Sequence, residues 1–178
     1  MGFRTLELLR QVPDIETHLV YTSSVAAILR LESGYGMEDL HRLADVVHAP
    51  KNMAASISSG SFRTLGMLVV PCSINTMSAI SHSFTKDLLT RAADVTLKEK
   101  RRLVLMVRES PFHLGHLRQM VQLTEMGAVI APPTPAFYQN PETVTDLLDH
   151  CIGRALDLFE LDLPGLKRWK TPLRREIL

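Results

Sequence analysis

The chain has 178 residues, of which 46% are apolar and 22% charged, and its formal net charge is +1. This length suits one domain with a sizeable core, expected to span residues 1–178, and the composition excludes a disordered chain. The small net charge argues against a nucleic-acid or membrane-surface protein. Two cysteines are too few for a disulfide framework, and no apolar run approaches the ~18 residues of a membrane span, so we expect a cytoplasmic setting.

Hydrophobic periodicity predicts alternating helices and strands. In chain order the pattern predicts a helix at 3–11, a strand at 17–22, helices at 23–31 and 38–44, a strand at 66–71, a helix after residue 76, a helix at 87–98, a strand at 102–107, a helix at 114–126, a strand at 128–131 and a helix at 142–161. Strands that are apolar throughout and alternate with helices indicate an α/β fold, with a parallel sheet covered on both faces.

Polar residues follow the predicted strands at the points where the strands end. They are Thr22, the segment 73–76, Arg108 with Glu109, and Tyr138 after a group of prolines. Because ligands of open parallel sheets bind beyond the C-terminal strand ends, this edge is the predicted binding site.

Two small polar segments each allow a functional and a structural interpretation. Ser73, Ile74, Asn75 and Thr76 lie between a strand and a helix, where backbone N–H groups bind anions or cofactors, although Ser73 would equally serve as a simple helix cap. The segment 56–61, with Ser58, Ser59 and a central glycine, allows close approach to a ligand or is a plain loop.

Charged residues near the same edge are the candidates for chemistry. Arg108 suits a phosphate or an anionic ring oxygen, and Glu109 suits proton transfer, whereas the structural alternative is a surface ion pair of little energetic value. Lys98, Tyr138 and Arg154 together would surround a phosphate, but sequence spacing does not show that they meet.

The histidines and cysteines do not form a recognisable site. His113 and His116 lack the further ligands of a metal site, so no metal is expected and a core or capping role fits them better. Cys72 precedes a predicted helix but has no base tied to it, and we interpret it as a packing residue.

Four stretches resemble one known family. They are SISSGSFRTLGMLVVPCS, LLTRAADVTLKE, LVLMVRESPFHLGHL and PPTPAFYQNPETVTDLL. Together they resemble the UbiX/Pad flavin prenyltransferases, formerly described as decarboxylases, and the resemblance runs from about Gly2 to Trp169.

The resemblance implies a Rossmann-like, flavodoxin-like three-layer sandwich that binds FMN. It implies transfer of a dimethylallyl group from dimethylallyl monophosphate to FMN, with the prenylated FMN serving a UbiD-type decarboxylase. It also implies a homo-oligomer, commonly a dodecamer, with sites at subunit interfaces. Members of the family need no metal.

The resemblance also implies roles for individual residues. Thr22, Ser58, Ser59, Ser73, Ile74, Asn75, Thr76 and Arg108 would contact FMN, and Ser59 would also take part in the chemistry. Lys98, Glu109, Tyr138 and Arg154 would hold the dimethylallyl phosphate, and Glu109 would assist proton transfer. Trp169 would help to close the site.

One departure from the family concerns its first strand and the glycine-rich turn after it. Here the resemblance begins at the following helix, so the first strand is apparently missing. Three explanations stand open: a fragment or a start site lying upstream, another strand filling the gap from this chain or a neighbouring subunit, and an inactive relative.

Two further functions compete with a flavin prenyltransferase. A flavin-dependent decarboxylase that oxidises peptidyl-cysteine would carry an early histidine and a P-x-M-N-x-x-M-W segment, which the sequence lacks. A non-catalytic subunit associated with a decarboxylase is distinguished by its flavin content.

Overall fold

The computed structural model describes residues 1–166. The helices of this part are α1 (Gly2–Leu9), α2 (Val25–Glu32), α3 (Met37–His41), α4 (Ile74–Ser81), α5 (Leu88–Lys98), α6 (Leu114–Glu125) and α7 (Val144–Leu156). The strands are β1 (His18–Leu19), β2 (Val46–Val47), β3 (Gly66–Cys72), β4 (Arg102–Val107) and β5 (Ala128–Ile130). Trp169 lies outside the described residues. None of the described helices is long and apolar enough to cross a membrane.

Side-chain caps explain where several helices begin. Asp87 accepts a hydrogen bond from the Thr90 N–H at 2.9 Å, and Thr143 accepts one from the Asp146 N–H at 3.1 Å. Each cap satisfies a backbone donor that the first helical turn leaves free. The Thr143 cap starts α7 two residues later than the predicted helix at 142–161.

Two further predicted elements are longer than those observed, and one observed strand was not predicted. The last helix ends at Leu156, because the chain continues into a 3-10 turn and Glu160 then adopts a left-handed conformation with φ 61°. The strand predicted at 17–22 contains two residues, which pair with β2 alone. The strand β2 was not predicted, since two valines are too few to show a periodicity.

The strand β4 separates two apolar layers. Leu103 and Leu105 pack in one core cluster with residues of α4, α5 and α6, whereas Val104 and Met106 pack towards α7. Successive side chains of a strand point to opposite faces, so the apolar run of β4 is buried on both sides. This arrangement confirms the predicted three-layer α/β sandwich.

The strands form two parallel sheets rather than one. One sheet has the order β1-β2, and the other has the order β3-β4-β5. Among residues 1–166, no strand lies between β1 and β3. The break falls where the family resemblance lacks its first strand, and the described part of the chain does not fill it.

Candidate functional site

A large cavity lies between the two sheets. Its volume is about 870 Å³, and its wall includes both β1 and β3. Five of the predicted site residues line it: Thr22, Ser59, Ser73, Thr76 and Arg108. The volume is within the range of cofactor pockets, roughly 300–1,000 Å³.

The turn after β3 lines this cavity with Ser73 and Thr76, whereas Ile74 and Asn75 of the same turn are not part of the wall. The Ser73 hydroxyl caps α4 by accepting the Thr76 N–H at 3.2 Å, as the simpler interpretation predicted. The N–H groups of Ile74 and Asn75 have no hydrogen-bond partner among residues 1–166. The Asn75 side chain points elsewhere, since its Oδ1 accepts from Lys86 at 3.2 Å. The turn thus combines its capping role with free donors for an anion.

Arg108 stands beside that turn with its charge available. Its backbone N–H donates to the Cys72 carbonyl at 3.1 Å, which ties the residue after β4 to the last residue of β3. Two other arginines line the cavity, but Arg4 is paired with Asp149 and Arg101 donates to backbone carbonyls. No hydrogen bond or ion pair engages the Arg108 guanidinium within residues 1–166. It is therefore the cavity cation best placed for an anionic ligand.

Hydroxyl groups face the same cavity from two other segments. Thr22 follows β1, and its Oγ1 lies 2.9 Å from the Ser24 Oγ. Ser59 follows a 3-10 turn, and its Oγ lies 2.9 Å from the Ser61 Oγ. Ser58 instead uses its carbonyl to accept from Arg91 at 3.1 Å and is not part of the cavity wall.

Glu109 is exposed directly after Arg108. Its Oε1 accepts the Ser110 N–H at 3.0 Å, and its carboxylate does not line the cavity. The ion pair that the structural interpretation predicted between Arg108 and Glu109 is not formed.

The chain does not bring Lys98, Tyr138 and Arg154 together. Lys98 is the last residue of α5, where it pairs with Glu99 ahead of β4. Arg108 follows the other end of β4, and the six residues of that strand separate Lys98 from Arg108 by about 20 Å. Arg154 lies on α7, across the sheet from α5, and pairs with Asp157 at 2.6 Å. The phosphate cluster that these residues would form is therefore absent from a single chain.

Tyr138 and Arg154 instead share a corner beside β5. The Tyr138 ring meets the His150 ring edge-on, with 6.0 Å between the ring centroids. His150 and Arg154 both line a smaller cavity of about 250 Å³. Burial, followed by the nearby Arg154 charge, lowers the pKa of His150.

Comparison with known proteins supports this interpretation of the cavity. Residues 2–157 match the Flavoprotein family. The flavin prenyltransferase UbiX of Escherichia coli is 54% identical over 171 residues, which are 95% of this chain and 90% of that protein. The chain belongs to the UbiX family of flavoproteins.

Two solved structures of UbiX-type proteins share the fold. AnUbiX (PadA1), crystallised with FMN and dimethylallyl pyrophosphate, is 48% identical with a TM-score of 0.93, over 96% of this chain and 90% of that one. A dodecameric FMN-dependent UbiX-like decarboxylase from Escherichia coli O157:H7 is 46% identical with a TM-score of 0.92, over 96% of this chain and 92% of that one.

The residues around the cavity fit the flavin that this UbiX-type family implies. A flavin mononucleotide is an anionic, planar and largely apolar molecule. The cavity offers a free guanidinium from Arg108, hydroxyl groups from Thr22 and Ser59, and an apolar wall. Within residues 1–166, no group of three histidine, cysteine or acidic side chains is arranged to hold a metal ion.

Two contacts between side-chain rings were not predicted from the sequence. Phe3 and Tyr35 stack at 4.0 Å and both line the cavity, and His18 Nδ1 lies 2.9 Å from His48 Nε2 beside it. The partners are about thirty residues apart, and no local pattern signals such a contact.

Cys72 and His113 have the structural roles predicted for them. Cys72 is fully buried in the main core, and burial raises the pKa of its thiol to about 12. His113 caps α6 by accepting the Gly115 N–H at 3.0 Å.

Proposed function

We propose that this chain is a flavin prenyltransferase that binds FMN in the cavity between its two sheets and carries a dimethylallyl group from its phosphate ester to the flavin. The observation that carries the proposal is the free Arg108 guanidinium beside the open first turn of α4. The relatives support it, because UbiX of Escherichia coli is a flavin prenyltransferase and AnUbiX was crystallised with both ligands.

In this proposal the cavity residues bind and orient the flavin. Arg108 and the N–H groups of Ile74 and Asn75 neutralise negative charge at one end. Thr22 and Ser59 offer hydroxyl groups from the other side of the cavity. The apolar wall excludes water, which protects a reactive allylic group during its transfer.

The departing phosphate requires cations and a proton-transfer group. We assign proton transfer to Glu109, which follows Arg108 and is exposed. Lys98, Tyr138 and Arg154 are also exposed, and no single chain brings them together, so we propose that they contribute only across an interface between copies. Positive side chains there would stabilise the charge that develops as the allylic C–O bond breaks.

An apolar stripe on α6 supports such an interface. Leu114, Leu117 and Val121 are 59%, 46% and 59% exposed and follow one another at helical spacing. One relative is dodecameric. We propose that this chain also forms a homo-oligomer, which light scattering coupled to gel filtration measures. The substitution V121K should shift the mass towards the monomer, and an unchanged mass would contradict a role for this stripe.

The family resemblance supports one partner for the product. We propose that prenylated FMN made by this chain activates a UbiD-type decarboxylase. Adding the reaction product to that decarboxylase in its flavin-free form should restore decarboxylation, and FMN alone should not.

The first experiment tests flavin binding and transfer in sequence. The purified chain is mixed with FMN, freed of excess FMN, and its visible spectrum is recorded. Dimethylallyl monophosphate is then added to the chain with reduced FMN, and the flavin is analysed by mass spectrometry. A retained flavin and a prenylated product support the proposal. A colourless protein would favour the inactive relative or the non-catalytic subunit.

A further inference from the structure

The segment between β2 and β3 carries Ser59 to the wall of the cavity. Its regular structure is a single 3-10 turn, Ser56–Ser58. The backbone N–H groups of Ser58, Ser59 and Phe62 each donate to the carbonyl three residues earlier, and the last of these bonds closes a tight turn over residues 59–62. These bonds are all local, so they do not fix where the turn lies against the rest of the fold.

Arg101 spans this turn with two hydrogen bonds. Its Nη2 donates to the Gly60 carbonyl at 2.6 Å, and its Nη1 donates to the Phe62 carbonyl at 2.7 Å. Arg101 directly precedes β4, so the two bonds fasten the turn to the central strand of the larger sheet. A guanidinium stays charged and holds its donors in a fixed plane, which suits it to bridging two carbonyls.

A second arginine holds the chain on the other side of Ser59. Arg91, on α5, donates from its Nε to the Ser58 carbonyl at 3.1 Å. The carbonyls of the two residues that flank Ser59 are therefore both engaged by arginines, that of Ser58 by Arg91 and that of Gly60 by Arg101. Hydrogen bonds with a charged donor are stronger than neutral ones. The place of Ser59 in the cavity wall thus depends on side chains far from it in the sequence.

We propose that Arg101 is a positioning residue, which fixes the turn 59–62 so that the Ser59 hydroxyl faces the bound flavin. This role rests on the proposed function, because the direction of that hydroxyl matters to the reaction when the cavity holds FMN. Both Nη atoms of Arg101 already donate to carbonyls, so Arg101 acts through Ser59 and not as a ligand of the flavin. A displacement of about 1 Å in such a group is enough to slow a reaction strongly.

Hydrogen exchange in the full chain without FMN tests the hold on the turn. In R101M, exchange in peptides that cover residues 56–62 should become faster by about tenfold or more, because two charge-assisted bonds are lost. Exchange in β4 should stay slow, which shows that the core remains folded. R102M removes the neighbouring, exposed arginine and should leave exchange in both regions unchanged.

The rate of prenyl transfer tests whether Arg101 acts through Ser59. With saturating FMN and dimethylallyl monophosphate, R101M and S59A should each slow transfer by about 2- to 12-fold, the contribution of one hydrogen bond. The double variant should be no slower than the slower single variant, because both changes remove the same interaction. A merely structural role of Arg101 would instead multiply the two effects.

The conservative variant R101K adds a graded comparison. Lysine keeps the charge but lacks the planar fork that bridges the two carbonyls. R101K should therefore lie between the unmodified chain and R101M in both exchange and transfer rate. It also serves for both measurements should R101M not fold.

Three results would overturn the proposal. They are unchanged exchange at 56–62 when Arg101 is replaced, an equal change in R102M, and effects of R101M and S59A that multiply in the double variant. The exchange experiment contains no flavin, so unchanged exchange counts against Arg101 whatever the chain does with FMN. An unmodified chain that transfers no prenyl group would contradict the proposed function, which keeps the two failures distinct.

Discussion

Replacing Arg108 by methionine should weaken FMN binding by about 10- to 150-fold. The Arg108 guanidinium is free, whereas those of Arg4 and Arg101 are engaged by neighbouring groups. Its charge is therefore available to FMN, and a hydrogen bond to a charged group contributes about 1.5–3 kcal/mol. Because ~1.4 kcal/mol corresponds to a tenfold change in affinity, this range gives the expected loss.

Quenching of FMN fluorescence during titration with the protein measures this loss. R108K keeps the charge without the planar fork, so we expect an intermediate affinity. R63M removes an exposed arginine outside both cavities and serves as the control. The reasoning is refuted if folded R108M binds FMN within twofold of the unmodified chain, or if R63M loses as much affinity.

Three further predictions concern the fold. Cys72 should resist iodoacetamide at pH 8 in the native chain, because the residue is buried and burial raises the pKa of its thiol to about 12. It should react once the chain is unfolded in urea, as followed by mass spectrometry. Labelling of the native chain at the rate of the unfolded chain would contradict this prediction. G66A should lower the free energy of unfolding by more than ~2 kcal/mol, because a Cβ on residue 66 would lie 2.2 Å from a carbonyl oxygen of β4. G34A is the control, since a Cβ there would meet no atom within 4 Å, and it should leave the free energy of unfolding in urea nearly unchanged. Burial, followed by the charge of His18, lowers the pKa of His48 in the folded chain. The unfolded chain therefore binds a proton at His48 more readily than the folded chain does. The free energy of unfolding should fall as the pH drops below ~6.5. H48Q should flatten this dependence between pH 7.5 and 5.5, and an unchanged slope would rule His48 out as its source.

The sequence predicted what a local pattern or a topological rule determines. The strand β4 has the predicted bounds 102–107, because an unbroken apolar run that is buried on both faces shows where the strand begins and ends. The convergence of Thr22, Ser73 and Arg108 on one cavity follows from parallel strands ending at a common edge.

The prediction was weaker where a side chain belongs to a helix rather than a strand end. A helix that returns to begin the next parallel strand ends at the opposite edge of the sheet, and this places Lys98 far from Arg108. The opposite faces of α5 and α7 likewise separate Lys98 from Arg154. Contacts such as Phe3 with Tyr35 depend on how α1 packs in three dimensions, which periodicity does not specify.

The break in the sheet links flavin binding to the cohesion of the fold. The sheet β1-β2 has two residues in each strand, and so small a sheet is marginal without packing against other elements. Thr22 follows this sheet, whereas Ser73 and Arg108 belong to the other one. A ligand that contacts both sides stabilises their native separation as well as its own site.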